Sequence, residues 1–211
     1  VLSTDTRRTQ PQDSPNPLRI GVLGGTFDPP HWGHLAVGLE VRHQLKLSVV
    51  LLVVANDPWQ KSAVTSVTPA KLRLEMVRCA VSNLEGLEAS TLEIDRGGQS
   101  YMADTLQQLR VRYPDAELMM VVGSDTAEEL GTWKHQQQLR ELATTVVVNR
   151  AGRLNGRCPD DWPVVSVEVP ALEISSHDIR SRFASGRPVE ALVPKAVAEV
   201  VLARGLYGCL H

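Results

Sequence analysis

From Val49 to Ala55 every residue is apolar and most are β-branched, within the segment SVVLLVVA. The run is far too short to cross a bilayer. It shows no alternation between apolar and polar positions, so both faces of the strand it forms must be covered. Strands of that kind belong to parallel sheets packed between helices. LRIGVL (18–23), ELMMVVG (117–123) and TTVVVNR (144–150) read the same way. LEASTLEID (87–95) alternates and reads as a strand, and VVSVEV (164–169) as the last one.

Helical periods fill the intervals. Leu35, Leu39, Val41 and Leu45 share one arc of 33–45. Thr68-Pro69 opens a helix over 68–84 whose Val77, Ala80, Val81 and Leu84 keep helical spacing. Met102, Leu106, Leu109 and Tyr113 do so over 102–113. A polar helix is predicted over 134–143, and a last one over 194–205 with Pro194 at its start and Gly205 past its end. Strands separated by helices predict an α/β fold: one Rossmann-like open parallel sheet with helices on both faces, as a single domain over 18–211. The C-terminal helical part starts at about residue 175. Residues 1–17 are polar and Pro-rich, which predicts a disordered tail. No internal repeat and no linker follow it.

Bulk properties narrow the function classes. A net charge of −2 supplies no basic field for nucleic acid, and no run has the length of a membrane span. Cys79, Cys158 and Cys209 are odd in number and include no CxxC, which predicts a reducing compartment, the cytoplasm. The sequence is compatible with a homo-oligomer and does not fix one.

The first strand runs into GGTFDPPHWGH, residues 24–34. In open parallel sheets ligands bind beyond the C-terminal strand ends, so this loop is a candidate site. Gly24 and Gly25 suit a sharp turn with exposed N–H groups. The following helix adds its N-terminal N–H groups and positive dipole end. His31 and His34 lie about one turn apart, and Gly33 between them removes bulk where a ligand approaches. The assembly suits phosphate. Neither the Gly-x-Gly-x-x-Gly nor the Walker pattern is present. For a metal, Asp28 is the one nearby carboxylate and no third ligand is evident.

GGTFDPPHWGH closely resembles the first signature of the nucleotidylyltransferase superfamily, Gly-Gly-x-Phe-Asp-Pro-x-His-x-Gly-His. The second, Ile-Ser-x-Thr-x-Ile-Arg, is matched by ISSHDIR (174–180), with His177 in place of Thr. Physically, Ser175 is a helix N-cap with Asp178 three residues on, and Arg180 can clamp two phosphate oxygens. A plain capped helix with a solvated arginine is the alternative for this segment taken alone.

Further segments resemble the bacterial nicotinate mononucleotide adenylyltransferases: PWQK (58–61), SYMADTL (100–106), GSDTAEELGTW (123–133) and NRAG (149–152). The resemblance covers residues 19–207. It implies an ATP site of Gly24, Gly25, Thr26, Phe27, His31, His34, Ser175, Ser176 and Arg180, with His31, His34 and Arg180 catalytic. It implies a mononucleotide site of Lys61, Ser100, Tyr101, Gly123, Asp125, Trp133 and Arg150. Taken alone, Trp133 fits a packing aromatic as well as a platform for a pyridine ring, Asp125 a helix cap, and Lys61 a solvated charge.

The implied reaction joins ATP and nicotinate mononucleotide into deamido-NAD and pyrophosphate. Mg²⁺ arrives with ATP, and no metal site of the protein's own is expected. Neither SYMADTL nor GSDTAEELGTW contains Lys or Arg, so preference for the acid over the amide is expected to rest on the Ser100 hydroxyl and loop N–H groups. Nicotinamide mononucleotide or phosphopantetheine are alternative substrates within the class. A nucleotide-binding regulatory module on a decayed enzyme scaffold is the alternative outside it; intact His31, His34 and Arg180 argue against that module, and turnover discriminates.

Overall fold

The apolar runs pair side by side. In a computed structural model, which describes residues 17–58, 67–150, 158–159 and 162–209, six strands form one sheet in the order β3-β2-β1-β4-β5-β6, with all five pairings parallel. The strands are β1 (Arg19–Gly25), β2 (Val49–Val54), β3 (Leu87–Ser90), β4 (Glu117–Gly123), β5 (Thr144–Arg150) and β6 (Val164–Val169). The order reverses between β1 and β4, which leaves a crevice beyond their C-terminal ends.

Alternate side chains of the central strands enter two cores. Leu23, Leu52, Val121 and Val148 face one layer, against α1 (Trp32–Gln44), α2 (Ala70–Val81), α7 (Ser176–Ala184) and α8 (Lys195–Ala203). Ile20, Val22, Met120 and Val147 face the other, against α4 (Met102–Arg112) and α6 (Gln136–Leu142). Two short helices, α3 (Leu92–Arg96) and α5 (Ser124–Glu128), the latter running into a 3-10 turn, Glu129–Thr132, and a second 3-10 turn, Leu206–Gly208, complete the described elements. The pattern is that of strands buried on both faces.

Three expectations are corrected. The strand expected over 87–95 ends at Ser90, and a short helix follows whose first residues are tied by the Thr91 hydroxyl on Asp95 Oδ2. The helix expected over 134–143 starts at Gln136, and residues 124–132, for which no helix was expected, are helical. Gly24 and Gly25 do not turn: they continue β1, paired with Val53 and Val54. A Cβ at Gly25 would lie 2.8 Å from the buried Phe27 ring, whereas one at Gly24 would meet only the flexible end of Met102, Cε, at 2.6 Å. The tail expected over residues 1–17 lies, but for Pro17, outside the described residues.

Gly86 does need its freedom. It turns the chain into β3 at φ +78°, and a Cβ there would fall 1.8 Å from Arg42 Nε. Gly86→Ala is expected to destabilise the fold by about 1–2 kcal/mol, the cost of a left-handed non-glycine residue. Urea denaturation should show a lower midpoint with an unchanged slope.

Candidate active site

The loop after β1 makes its turn at Phe27, whose φ is +51° and whose ring is buried. That turn carries the chain to His31, the N-cap of α1. The His31 and His34 rings stack with centroids 3.7 Å apart, and Phe27 meets His34 edge-on at 5.0 Å. The His31 backbone N–H donates to His34 Nδ1 at 3.3 Å. An acceptor at Nδ1 puts the proton of the neutral ring on Nε2, so that nitrogen is a donor. The Trp32 N–H, the first of the helix, is not available to a ligand because it donates to Leu192 O. Gly33 leaves room for the His31 ring, 3.0 Å from where a Cβ would stand.

The second signature meets the first. Arg180 Nη1 donates to Asp28 O at 2.7 Å, and the Ser176 hydroxyl donates to Pro29 O at 2.9 Å. Arg180 thereby engages one of five N–H donors. Ser176 has its one hydroxyl proton committed to that tie. Ser175 caps α7 by accepting the Asp178 N–H at 3.1 Å, which leaves its own hydroxyl proton directed elsewhere. Arg182 beside Asp178 holds that carboxyl below its ordinary range. His177, the departure from the signature, is exposed.

A network that the sequence reading did not identify holds this loop. Arg73 of α2 is 1% exposed. It donates to Thr26 O and Thr68 O at 2.7 Å each and to Asn56 O at 3.3 Å. One guanidinium thus joins the loops after β1 and β2 to the approach to α2. Burial pulls its pKa down, and the facing Asp28 opposes that. Asp28, 4% exposed, accepts the Tyr207 hydroxyl at 2.7 Å on Oδ1 and the Thr68 N–H at 3.1 Å on Oδ2. Its oxygens are therefore engaged in holding the loop. Among the described residues no group of three His, Cys, Asp or Glu is placed to hold a metal ion. Arg73 carried a signal in the sequence: it stands four residues before Val77 on the apolar stripe of α2, where a charge is out of place.

Beyond the ends of β1 and β4 lies a cavity of about 280 Å³. Gly24, Gly25, Thr26, Ser100, Tyr101, Met102, Gly123, Trp133 and Lys134 are among its lining residues. The structure therefore brings together Ser100, Tyr101, Gly123 and Trp133 of the expected mononucleotide site with the first residues of the signature loop. The Ser100 hydroxyl accepts the Asn56 N–H at 2.9 Å, so its own proton can be donated, whereas its backbone N–H is taken by Asp57 O. Asp125 is exposed in the first turn of α5 and does not line the cavity. Arg150 ends β5 beside Val169, with its side chain outside the described residues, as is all of Lys61. A larger hollow, about 480 Å³, opens at the opposite ends of β4, β5 and β6 near Trp162, and neither signature reaches it.

The Cytidylyltransferase-like family model matches residues 22–182, from β1 through both signatures. A protein of Corynebacterium kroppenstedtii named probable nicotinate-nucleotide adenylyltransferase is 41% identical, over 93% of this chain and 94% of its own length. One of Saccharopolyspora erythraea with the same name is 42% identical, over 90% of this chain and 89% of its own. The chain belongs to the nicotinate-nucleotide adenylyltransferase family. The fold agrees: the Plasmodium falciparum nicotinic acid mononucleotide adenylyltransferase complexed with NaAD superposes with a TM-score of 0.75, covering 91% of this chain and 98% of that one at 16% identity. The family's two signatures are thus the segments that Arg180 and Ser176 tie together here.

The Tyr207–Asp28 hydrogen bond can be tested alone. Desolvation, then the Asp28 charge and its hydrogen bond, push the Tyr207 phenol far above its ordinary value. The folded state therefore retains a proton that the unfolded chain loses near pH 10, so this contribution is fully present below that pH and is lost as pH rises further. Tyr207→Phe is expected to cost about 1–3 kcal/mol at neutral pH by leaving a buried acceptor short of a partner. It should also flatten the alkaline fall in stability, measured by urea denaturation at several pH values.

Proposed function

We propose that this chain transfers the AMP moiety of ATP to nicotinate mononucleotide, forming deamido-NAD and releasing pyrophosphate. The observation that carries the reading is the joining of the two signatures at the sheet's switch point, beside a cavity large enough for part of a nucleotide. A phosphate oxygen of the mononucleotide attacks the α-phosphorus of ATP. The bond from that phosphorus to the bridging oxygen breaks, and pyrophosphate carries the negative charge away. No covalent intermediate with the protein is required, so catalysis is positioning and charge stabilisation.

In this reading His31 and His34 face the α- and β-phosphates, with His34 Nε2 as a donor to the charge that builds on the bridging oxygen. Arg180, the Ser175 hydroxyl and the first N–H groups of α7 hold the far phosphates. Gly24, Gly25 and Thr26 are the common wall where the two substrates meet, with Phe27 behind them. Ser100, Tyr101, Gly123 and Trp133 receive the mononucleotide, and Lys61, Asp125 and Arg150 are proposed to contribute to its binding. Mg²⁺ enters as part of the substrate MgATP, ligated by phosphate and water. The cytoplasm is the proposed compartment, supported by three thiols that the fold leaves unpaired.

Initial rates with ATP, Mg²⁺ and either mononucleotide, followed by pyrophosphate release, test the assignment. Higher kcat/KM on the nicotinate form supports it. Comparable efficiency on both moves the chain to a dual-specificity enzyme, and no release with either refutes it. His34→Ala is expected to lower kcat ~10²–10³-fold with the fold retained, the effect of removing one preorganised donor. Arg180→Lys should raise the KM for ATP and leave that for the mononucleotide in place, because an ammonium cannot reproduce a two-pronged clamp.

A further inference from the structure

Two charged residues line the cavity among those described, Glu93 and Lys134. Glu93 is 4% exposed and turned into the protein, where its carboxylate accepts the Thr105 hydroxyl at 2.6 Å. Lys134 is exposed and is one of the residues that line the cavity. Its Nζ donates to the Tyr101 hydroxyl at 2.8 Å and sits 4.6 Å from the centre of the Tyr101 ring. Tyr101 and Lys134 are 33 positions apart, in different connecting segments. The hydrogen bond and the cation–π contact together hold a flexible four-carbon side chain over the cavity rim.

The neighbours of Lys134 define what it faces. It follows Trp133 directly, and Trp133, Tyr101 and Met102 line the same hollow. This is an apolar, aromatic end suited to a flat ring. The 3-substituent of that ring is a carboxylate in one mononucleotide and an uncharged carboxamide in the other. An ammonium discriminates between them through charge as well as hydrogen bonding, and hydrogen bonds with an ionised partner are roughly twice as strong as neutral ones.

Building on the proposed function, we infer that Lys134, held by Tyr101, is a specificity-determining residue that selects the carboxylate of nicotinate mononucleotide over the carboxamide. This revises the expectation that selection rests on hydroxyl and backbone donors alone. SYMADTL and GSDTAEELGTW lack a cation, but the residue immediately after the second segment supplies one.

The test compares wild type, Lys134→Gln and Lys134→Arg with each mononucleotide, by steady-state kinetics and by calorimetric binding. Lys134→Gln should lower kcat/KM for the nicotinate form about tenfold, mainly through KM, the effect of about one charge-assisted contact in a partly screened position. Efficiency with the amide form and the KM for ATP should stay within about twofold, on the ordinary scale of a surface substitution. Lys134→Arg should restore most of the acid preference. Added salt should erode the preference of wild type and leave that of Lys134→Gln unchanged, since exposed charges are screened over ~8 Å at physiological ionic strength.

An equal loss on both mononucleotides would overturn the inference and place the ammonium on their shared phosphate, and an unchanged ratio would overturn it outright. The two readings fail separately. A wild type that binds the nicotinate form but releases no pyrophosphate refutes the transfer activity, while the binding ratios still decide the role of Lys134.

Discussion

One buried guanidinium determines whether the site has a shape. Arg73 takes three backbone carbonyls from three separate segments and faces the carboxylate of Asp28. A buried charge is costly unless hydrogen bonds and opposite charge compensate it, and this one keeps its three carbonyl acceptors only when the loops after β1 and β2 lie where they do. Displacing either loop strands N–H donors in a dry environment. The geometry of the signature loop is therefore fixed from behind by a residue that lies beneath the loops, and the left-handed turn at Phe27 is tolerated because its surroundings over-determine it.

The sheet order sets the division of labour. Reversal between β1 and β4 opens a single crevice, and the two strand ends beside it supply Gly24, Gly25 and Thr26 on one side and Gly123 on the other. The stacked histidines and Arg180 stand at the entrance of α1, whereas Trp133, Tyr101 and Lys134 stand around the cavity proper. The two regions adjoin at the end of β1, where Gly24, Gly25 and Thr26 line the cavity.

Much of this was legible in the sequence. Unbroken apolar runs gave away the central strands, because a strand covered on both faces needs no polar positions. Helical spacing located α1, α2 and α4. Less was legible where local pattern and tertiary context diverge. LEASTLEID reads as one strand, but its apolar positions slip phase from Leu87 and Ala89 to Leu92 and Ile94, and the pairing with β2 ends at that slip, at Ser90. The glycine pair read as a turn because glycine permits one, whereas here it continues β1, with Gly25 against the Phe27 ring. The signatures revealed His31, His34 and Arg180, but the residues that support them carry no motif. Arg73 was visible as a charge on an apolar stripe. Tyr207 follows a helix-ending glycine with nothing to mark it, and Lys134 lies one position past the segment that carries the family resemblance.

Asp28 and Tyr207 are 179 positions apart, Asp28 and Arg180 152, and Pro29 and Ser176 147. As the chain emerges from the ribosome, all six strands are available before any of these three partners of the signature loop. A nascent chain can thus have all its strands while the signature loop, already reached by Arg73, still lacks its three C-terminal ties. A chain released before Tyr207 is made would have every strand of the sheet without the hydroxyl that holds Asp28 in place.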